Sequence, residues 1–189
     1  MKRKRLIVVV GATAVGKTAE SIRIAELLNT EIVSADSRQF YKEMNIGVAR
    51  PSIEELETVK HHLIAHISVT DSYNVARYEQ DALKCIEGLF ERHEDVVLTG
   101  GSGLFVKAVC EGLDDIPDAD IEIRNSLNDI FATQGIEPLQ RELSKKDPEY
   151  WKIVDKQNHI RLIRALEVCR QTGRTFSSYR NNRKAERYF

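Results

Sequence analysis

A wholly apolar, largely β-branched run from Leu6 to Val10 gives way to a glycine-punctuated stretch, after which apolar residues recur with a helical period. The run suits a buried parallel strand, and Ile22, Ala25 and Leu28 share one stripe of a helix expected over 17–28. Further strands are expected at 31–35, 63–67 and 95–99. A helix is expected over about 75–92, where Val75, Tyr78, Ala82, Ile86 and Leu89 keep helical spacing. Strands alternating with helices up to residue 100 argue for the α/β class with a parallel sheet.

The pattern changes after Gly112. Residues 113–119 (LDDIPDA) read as a linker, and every later periodic segment is helical: about 121–133, 137–145, 149–155 and 158–172, with Gly135 and Gly173 as stops. The expected organisation is therefore an α/β core over 1–112, an all-helical insertion or appendage over 113–172, and a segment over 173–189 heading back toward the core. The sequence stops at Arg187-Tyr188-Phe189 with no terminal helix or final strand, and a sheet that opens with a glycine loop and ends after few strands has an exposed edge, so a C-terminally truncated chain is expected.

Composition narrows the class further. The chain has 189 residues, of which 42% are hydrophobic and 30% charged, with a net charge of −1; that is ordinary for a soluble globular protein and makes no bulk demand for nucleic acid. Charge is nonetheless uneven: Lys2 to Arg5 form a basic start, and Arg170, Arg174, Arg180, Arg183, Lys184 and Arg187 form a cationic end that is either solvated or set against phosphate. Cys85, Cys110 and Cys169 are odd in number and widely spaced, which suggests neither a zinc ribbon nor a disulfide framework and suits a reducing cytoplasm. The early apolar run is too short for a signal peptide and runs straight into the glycine loop; no stretch reaches membrane-spanning length.

That loop, Gly11 to Thr18 (GATAVGKT), has the G-x-x-x-x-G-K-[ST] form. A strand, a glycine loop and a helix in succession present converging backbone N–H groups and a positive helix end to a phosphate, so the segment is a nucleotide-binding and ATP-binding signature in its general form. Lys17 adds a point charge, and the Thr18 hydroxyl suits Mg²⁺. Asp36 leaves the expected second strand at the same sheet edge, where it either serves a metal or a nucleophile's proton, or caps a turn together with Ser37. Gly100-Gly101-Ser102-Gly103 follows the fourth strand at that edge, where ligands of open α/β sheets collect. His61 and His62 have no third ligand at metal spacing and read as structural hydrogen bonders. Tyr150 and Trp151 read as core of the helical part.

Taken together, GATAVGKT at 11–18, DSRQFY at 36–41, IGVARP at 46–51, HHL at 61–63, GGSGLF at 100–105 and RLIRALEV at 161–168 resemble the tRNA isopentenyltransferase (tRNA dimethylallyltransferase) family over roughly residues 6 to 180. The resemblance implies a P-loop NTPase-like parallel sheet flanked by helices, with the helical insertion gripping RNA. It implies transfer of a dimethylallyl group from dimethylallyl diphosphate to N6 of the adenosine 3′ of the anticodon in tRNA. Gly11, Ala12, Thr13, Ala14, Val15, Gly16, Lys17 and Thr18 would bind the diphosphate, with Thr18 toward Mg²⁺. Asp36 would act as general base, with Lys17 and Ser102 as its catalytic companions. Asp36, Ser37, Arg38, Gln39, Ser102, Arg124, Ile160, Arg161, Leu162, Ile163 and Arg164 would meet the tRNA anticodon stem-loop. Ser102 stands where the family pattern usually has threonine, and Phe105 where tyrosine is commoner. For Arg124, Arg161 and Arg164 the alternative is a solvated helix face.

The nearest alternatives are an adenylate isopentenyltransferase, acting on a free nucleotide, and a small-molecule kinase holding ATP in the loop. A cytoplasmic, monomeric enzyme without membrane contact is expected, one that transfers weakly or not at all at this length.

Overall fold

The computed structural model describes residues 4–181 and 184–189; Lys2 and Arg3 of the basic start and Arg183 of the cationic end lie outside the described residues. Four parallel strands, β1 (Arg5–Val10), β2 (Ile32–Ser34), β3 (His61–His62) and β4 (Asp95–Gly100), form one sheet in the order β1-β4-β2-β3. β4 lies inside the sheet, and its Val96, Val97 and Leu98 are fully buried, as an apolar strand covered on both faces must be. On one face α1 (Lys17–Leu27) packs Ile22 and Ala25 against Ile32 and Val97. On the other, α3 (Val75–Phe90) sets Tyr78, Ala82, Ile86 and Leu89 against Val33, Val96 and Leu98.

Three features differ from expectation. The strand that opens the chain is an edge strand rather than a buried one: among the described residues β1 pairs only with β4, leaving Val8 at 37% and Val10 at 57% exposure. The exposed edge argued from strand count is therefore present. β3 occupies His61–His62 rather than 63–67, because Leu63 (φ 59°) and Ala65 (φ 48°) turn the backbone out of the extended region; only Ile67 returns to an isolated bridge with Tyr41. Two helices appear that periodicity did not expose. The short α2 (Ile53–Thr58) carries a capping box between Ser52 and Glu55, and α4 (Gly103–Glu111) follows the glycine turn and buries Ala108 and Val109.

The chain divides into two compact units, Met1–Leu113 with Lys184–Phe189, and Asp114–Arg183. The second holds α5 (Ile121–Gln134), α6 (Glu137–Lys146), α7 (Pro148–Ile153) and α8 (His159–Thr172) around Leu127, Leu139, Leu143, Leu162 and Leu166. Asp147 is fully buried there because its carboxylate caps α7 at Tyr150 N and takes both donors of Ser177. Phe176 packs in this core, so the expected return segment at 173–189 starts back only at Lys184. Within the first unit, Ala185 N donates to Glu111 O and Arg187 binds Glu79 and the Val109 carbonyl. Among the described residues no helix is long and apolar enough to cross a membrane.

Candidate active site

Where β1 ends, the backbone enters a solvent-exposed loop whose last residue, Gly16, lies in the left-handed region (φ 90°) that glycine enters without strain. Ala14 adopts a left-handed φ of 66° without that freedom, at roughly 1 kcal/mol or more, strain of the kind found at functional loops. No side chain caps α1, so the N–H groups of its first turn stay open to an anion at the positive end of the helix. Lys17 folds back over the loop, its Nζ donating to the Ala12 carbonyl at 2.6 Å.

Past β2, period-two alternation carries Ile32, Ser34 and Asp36 along one face of the sheet, apolar at the bottom and polar at the top. Asp36 Oδ1 accepts from Arg38 N at 3.1 Å and so pins the turn. Oδ2 lies on the side of Gly101, where a built Cβ would stand 3.6 Å from it, 3.8 Å from the Gly11 carbonyl oxygen and 4.0 Å from Lys17 Nζ. Strand tip, phosphate loop and glycine turn thus meet at one point. Ser102, at the head of α4, leaves that helix uncapped; its Oγ accepts from Ser37 N and lies 3.1 Å from Ser37 Oγ, tying the two edges together. Gly100 is pressed against the Ala35 backbone. Behind this corner Phe40, Tyr78 and Phe105 pack ring on ring, and Tyr78 donates to the Ser34 carbonyl.

A cavity of about 250 Å³ opens here, lined by Thr13, Ala14, Gly16, Lys17 and Thr18 of the loop, by Asp36, and by Ser34, Gln39, Glu55, His61, Thr99 and Gly100. Five of the loop residues expected to meet a diphosphate are in this wall; Gly11, Ala12 and Val15 are not, and Val15 points into solvent at 64% exposure. Ser34, Glu55, His61 and Thr99 were not assigned to this site from the sequence. Strand alternation from Asp36 could have found Ser34, whereas Thr99 and His61 needed the strand register.

The histidine pair splits across the sheet. His62 bonds Glu31 at 2.6 Å. Burial would raise the Glu31 carboxyl, but that bond and the charges of Arg92 and Lys60 outweigh it and hold it low. His61 faces the cavity; Nδ1 lies 2.7 Å from the Val59 carbonyl, and burial pushes the imidazole below its ordinary range. Among the described residues no group of three or more His, Cys, Asp or Glu is placed to hold a metal by itself, so a hard cation here would take its ligands from the Thr18 hydroxyl, water and a bound phosphate.

Several residues assigned to RNA do other work. Gln39 is 9% exposed; its Oε1 accepts from Ser34 Oγ, and its Nε2 donates to the Ala49 carbonyl. Leu162 and Ile163 are core of the helical unit, since their positions on α8 face Leu127 and Leu139. Arg124 and Arg164 both bond Oε2 of the fully buried Glu167, at 2.9 and 3.1 Å, and Arg164 also holds the Pro117 carbonyl. A buried carboxylate without such partners would be strongly disfavoured, so their first duty is to the fold. Arg38, Ile160 and Arg161 remain exposed, while Ser37 is half-buried. Tyr150 is core, and Trp151 packs at its margin beneath Lys156.

Comparison with known proteins finds matches along nearly the whole chain. The family model for IPP transferase matches residues 39–189. The tRNA dimethylallyltransferase of Christiangramia forsetii is 52% identical over 184 residues, covering 97% of this chain and 61% of that protein. Among solved structures, the full-length tRNA isopentenylpyrophosphate transferase of Bacillus halodurans is 39% identical with a TM-score of 0.57, over 91% of this chain and 57% of that one. A eukaryotic dimethylallyltransferase acting on tRNA is 25% identical with a TM-score of 0.78, over 96% of this chain and 45% of that one. The chain thus spans about 61% of the length of its C. forsetii relative.

Proposed function

The chain belongs to the IPP transferase family, and from that premise we propose that its α/β unit carries the site of a tRNA dimethylallyltransferase, moving a dimethylallyl group from dimethylallyl diphosphate to N6 of the adenosine 3′ of the anticodon. The observation that carries the reading is the meeting of Lys17, Asp36 and Gly101 at one cleft. The leaving diphosphate needs cations and backbone donors; the attacking amine needs a carboxylate. Both needs are met within one cavity.

In the step itself, the N6 lone pair attacks the allylic C1 and the C1–O bond breaks, its electron pair leaving with the diphosphate. Lys17 and the open N–H groups at the head of α1 stabilise the charge that develops there. An adenine amine is a poor nucleophile, and Asp36 Oδ2 takes its proton as the new bond forms. The Thr18 hydroxyl fits Mg²⁺, which when bound neutralises part of the diphosphate charge. RNA with an unpaired, extruded base is the acceptor such a cleft can reach, and the exposed Arg38 is suited to its phosphates.

The test is a single-turnover reaction with enzyme in excess, labelled dimethylallyl diphosphate and an anticodon stem-loop RNA. Label is expected in the RNA with the wild-type chain and not with Asp36→Ala. Equal labelling by both removes Asp36 from the chemistry, and labelling of AMP in preference to the stem-loop overturns the tRNA assignment.

A further inference from the structure

His61 plays no part in the step just described, yet its placement is specific. The parallel register sets His61 beside Ile32, on the sheet face that continues through Ser34 to Asp36. Its Nδ1 lies 2.7 Å from the Val59 carbonyl, an acceptor, so the ring proton sits on Nδ1 and Nε2 is a bare acceptor. That Nε2 is buried and has no protein partner among the described residues. Burial also disfavours the charged form of the ring. An unpaired buried acceptor in a cavity wall is costly unless a bound species supplies a proton donor.

The chemistry of the cleft narrows what that donor is. Diphosphate offers acceptors, and so do Asp36 and Glu55. Lys17 is committed to the diphosphate charge. Thr99 spends its hydroxyl proton on the Val9 carbonyl and Ser34 on Gln39, and the Thr18 hydroxyl serves the cation; ordered water is the donor that a bound cation adds, since Mg²⁺ keeps several waters when it binds phosphates. We propose that His61 Nε2 accepts a hydrogen bond from the hydration shell of the divalent cation that enters with the diphosphate, acting as a positioning residue for the metal-diphosphate pair. This rests on the reading of the cleft as a metal-diphosphate site. His61 is not a direct ligand; it favours the hydrated pair over free diphosphate.

Calorimetric titration of the chain with inorganic pyrophosphate, once with Mg²⁺ and once with EDTA, tests this. The quantity read is the ratio of the two affinities, which a partly unfolded sample does not change. His61→Asn keeps the donor to Val59 and removes the acceptor at Nε2; it should lower the Mg²⁺-dependent gain about five- to tenfold, leaving the EDTA affinity unchanged. His61→Gln returns an amide oxygen near the lost acceptor and should recover part of the gain. An unchanged ratio in His61→Asn, or an equal loss with and without Mg²⁺, overturns the proposal and leaves the cleft assignment standing. Failure of the wild-type chain to bind pyrophosphate under either condition overturns both.

Discussion

Gly100→Ala should cost this protein far more than one methyl group suggests. A Cβ built on Gly100 falls 2.3 Å from the Ala35 carbonyl oxygen, 2.4 Å from its carbon and 2.9 Å from its Cα. Ordinary carbon contacts begin near about 3.5 Å, so the overlap with the Ala35 backbone is about 1 Å. Neither backbone can yield freely: Ala35 N donates to Thr99 O at 2.7 Å and Ser102 N donates to Ala35 O at 3.3 Å, so separating them breaks the β2–β4 pairing at the site. Overpacking in a core typically costs about 1–3 kcal/mol, and a clash with hydrogen-bonded backbone rather than a flexible side chain belongs at the upper end. At about 2–4 °C per kcal/mol for a chain of this size, Tm should fall by about 6–12 °C. Gly101→Ala is the control, because its Cβ meets nothing closer than 3.6 Å; it should fold normally while crowding the space between Asp36 and Lys17, weakening diphosphate binding. Thermal unfolding of the two variants within about 2 °C of each other would refute the reasoning.

Replacing Arg124 and Arg164 together by alanine strands the buried Glu167 carboxylate and should cost about 3–5 kcal/mol in urea unfolding, more than Glu167→Gln alone, because the arginines left behind reach solvent and the carboxylate does not. Stability should fall as pH drops below about 6.5: burial depresses His61 and His66 in the folded chain, so the unfolded chain takes up protons that the folded one refuses. Urea midpoints at pH 7.5 and 5.5 check this, and a midpoint that is equal or higher at 5.5 contradicts it.

Much of the first unit was legible because its signals are local. A strand, a glycine loop and an amphipathic helix each announce themselves over a few residues, and five of the six sequence segments that carry the family resemblance lie in this unit. What escaped reading is set by non-local geometry. The apolar run of β1 looks the same whether it has one neighbour or two, so its edge position was hidden. Leu63 and Ala65 carry no turn signature, yet both take left-handed φ, and the strand falls two residues early. In the helical unit, Arg161 and Arg164 share a face by spacing, and only packing shows that Arg164 serves Glu167 while Arg161 stays exposed. His61 reads as a structural hydrogen bonder, and its Nδ1 is one; the orphaned Nε2 is invisible without the register against Ile32.

The central claim is that the glycine loop and Asp36 cradle a prenyl diphosphate, and direct competition between dimethylallyl diphosphate and ATP for the Mg²⁺-loaded chain tests it most directly. The account predicts saturable binding of dimethylallyl diphosphate, lost in Lys17→Ala, with ATP a weaker competitor. Tight ATP binding that dimethylallyl diphosphate cannot displace would contradict it.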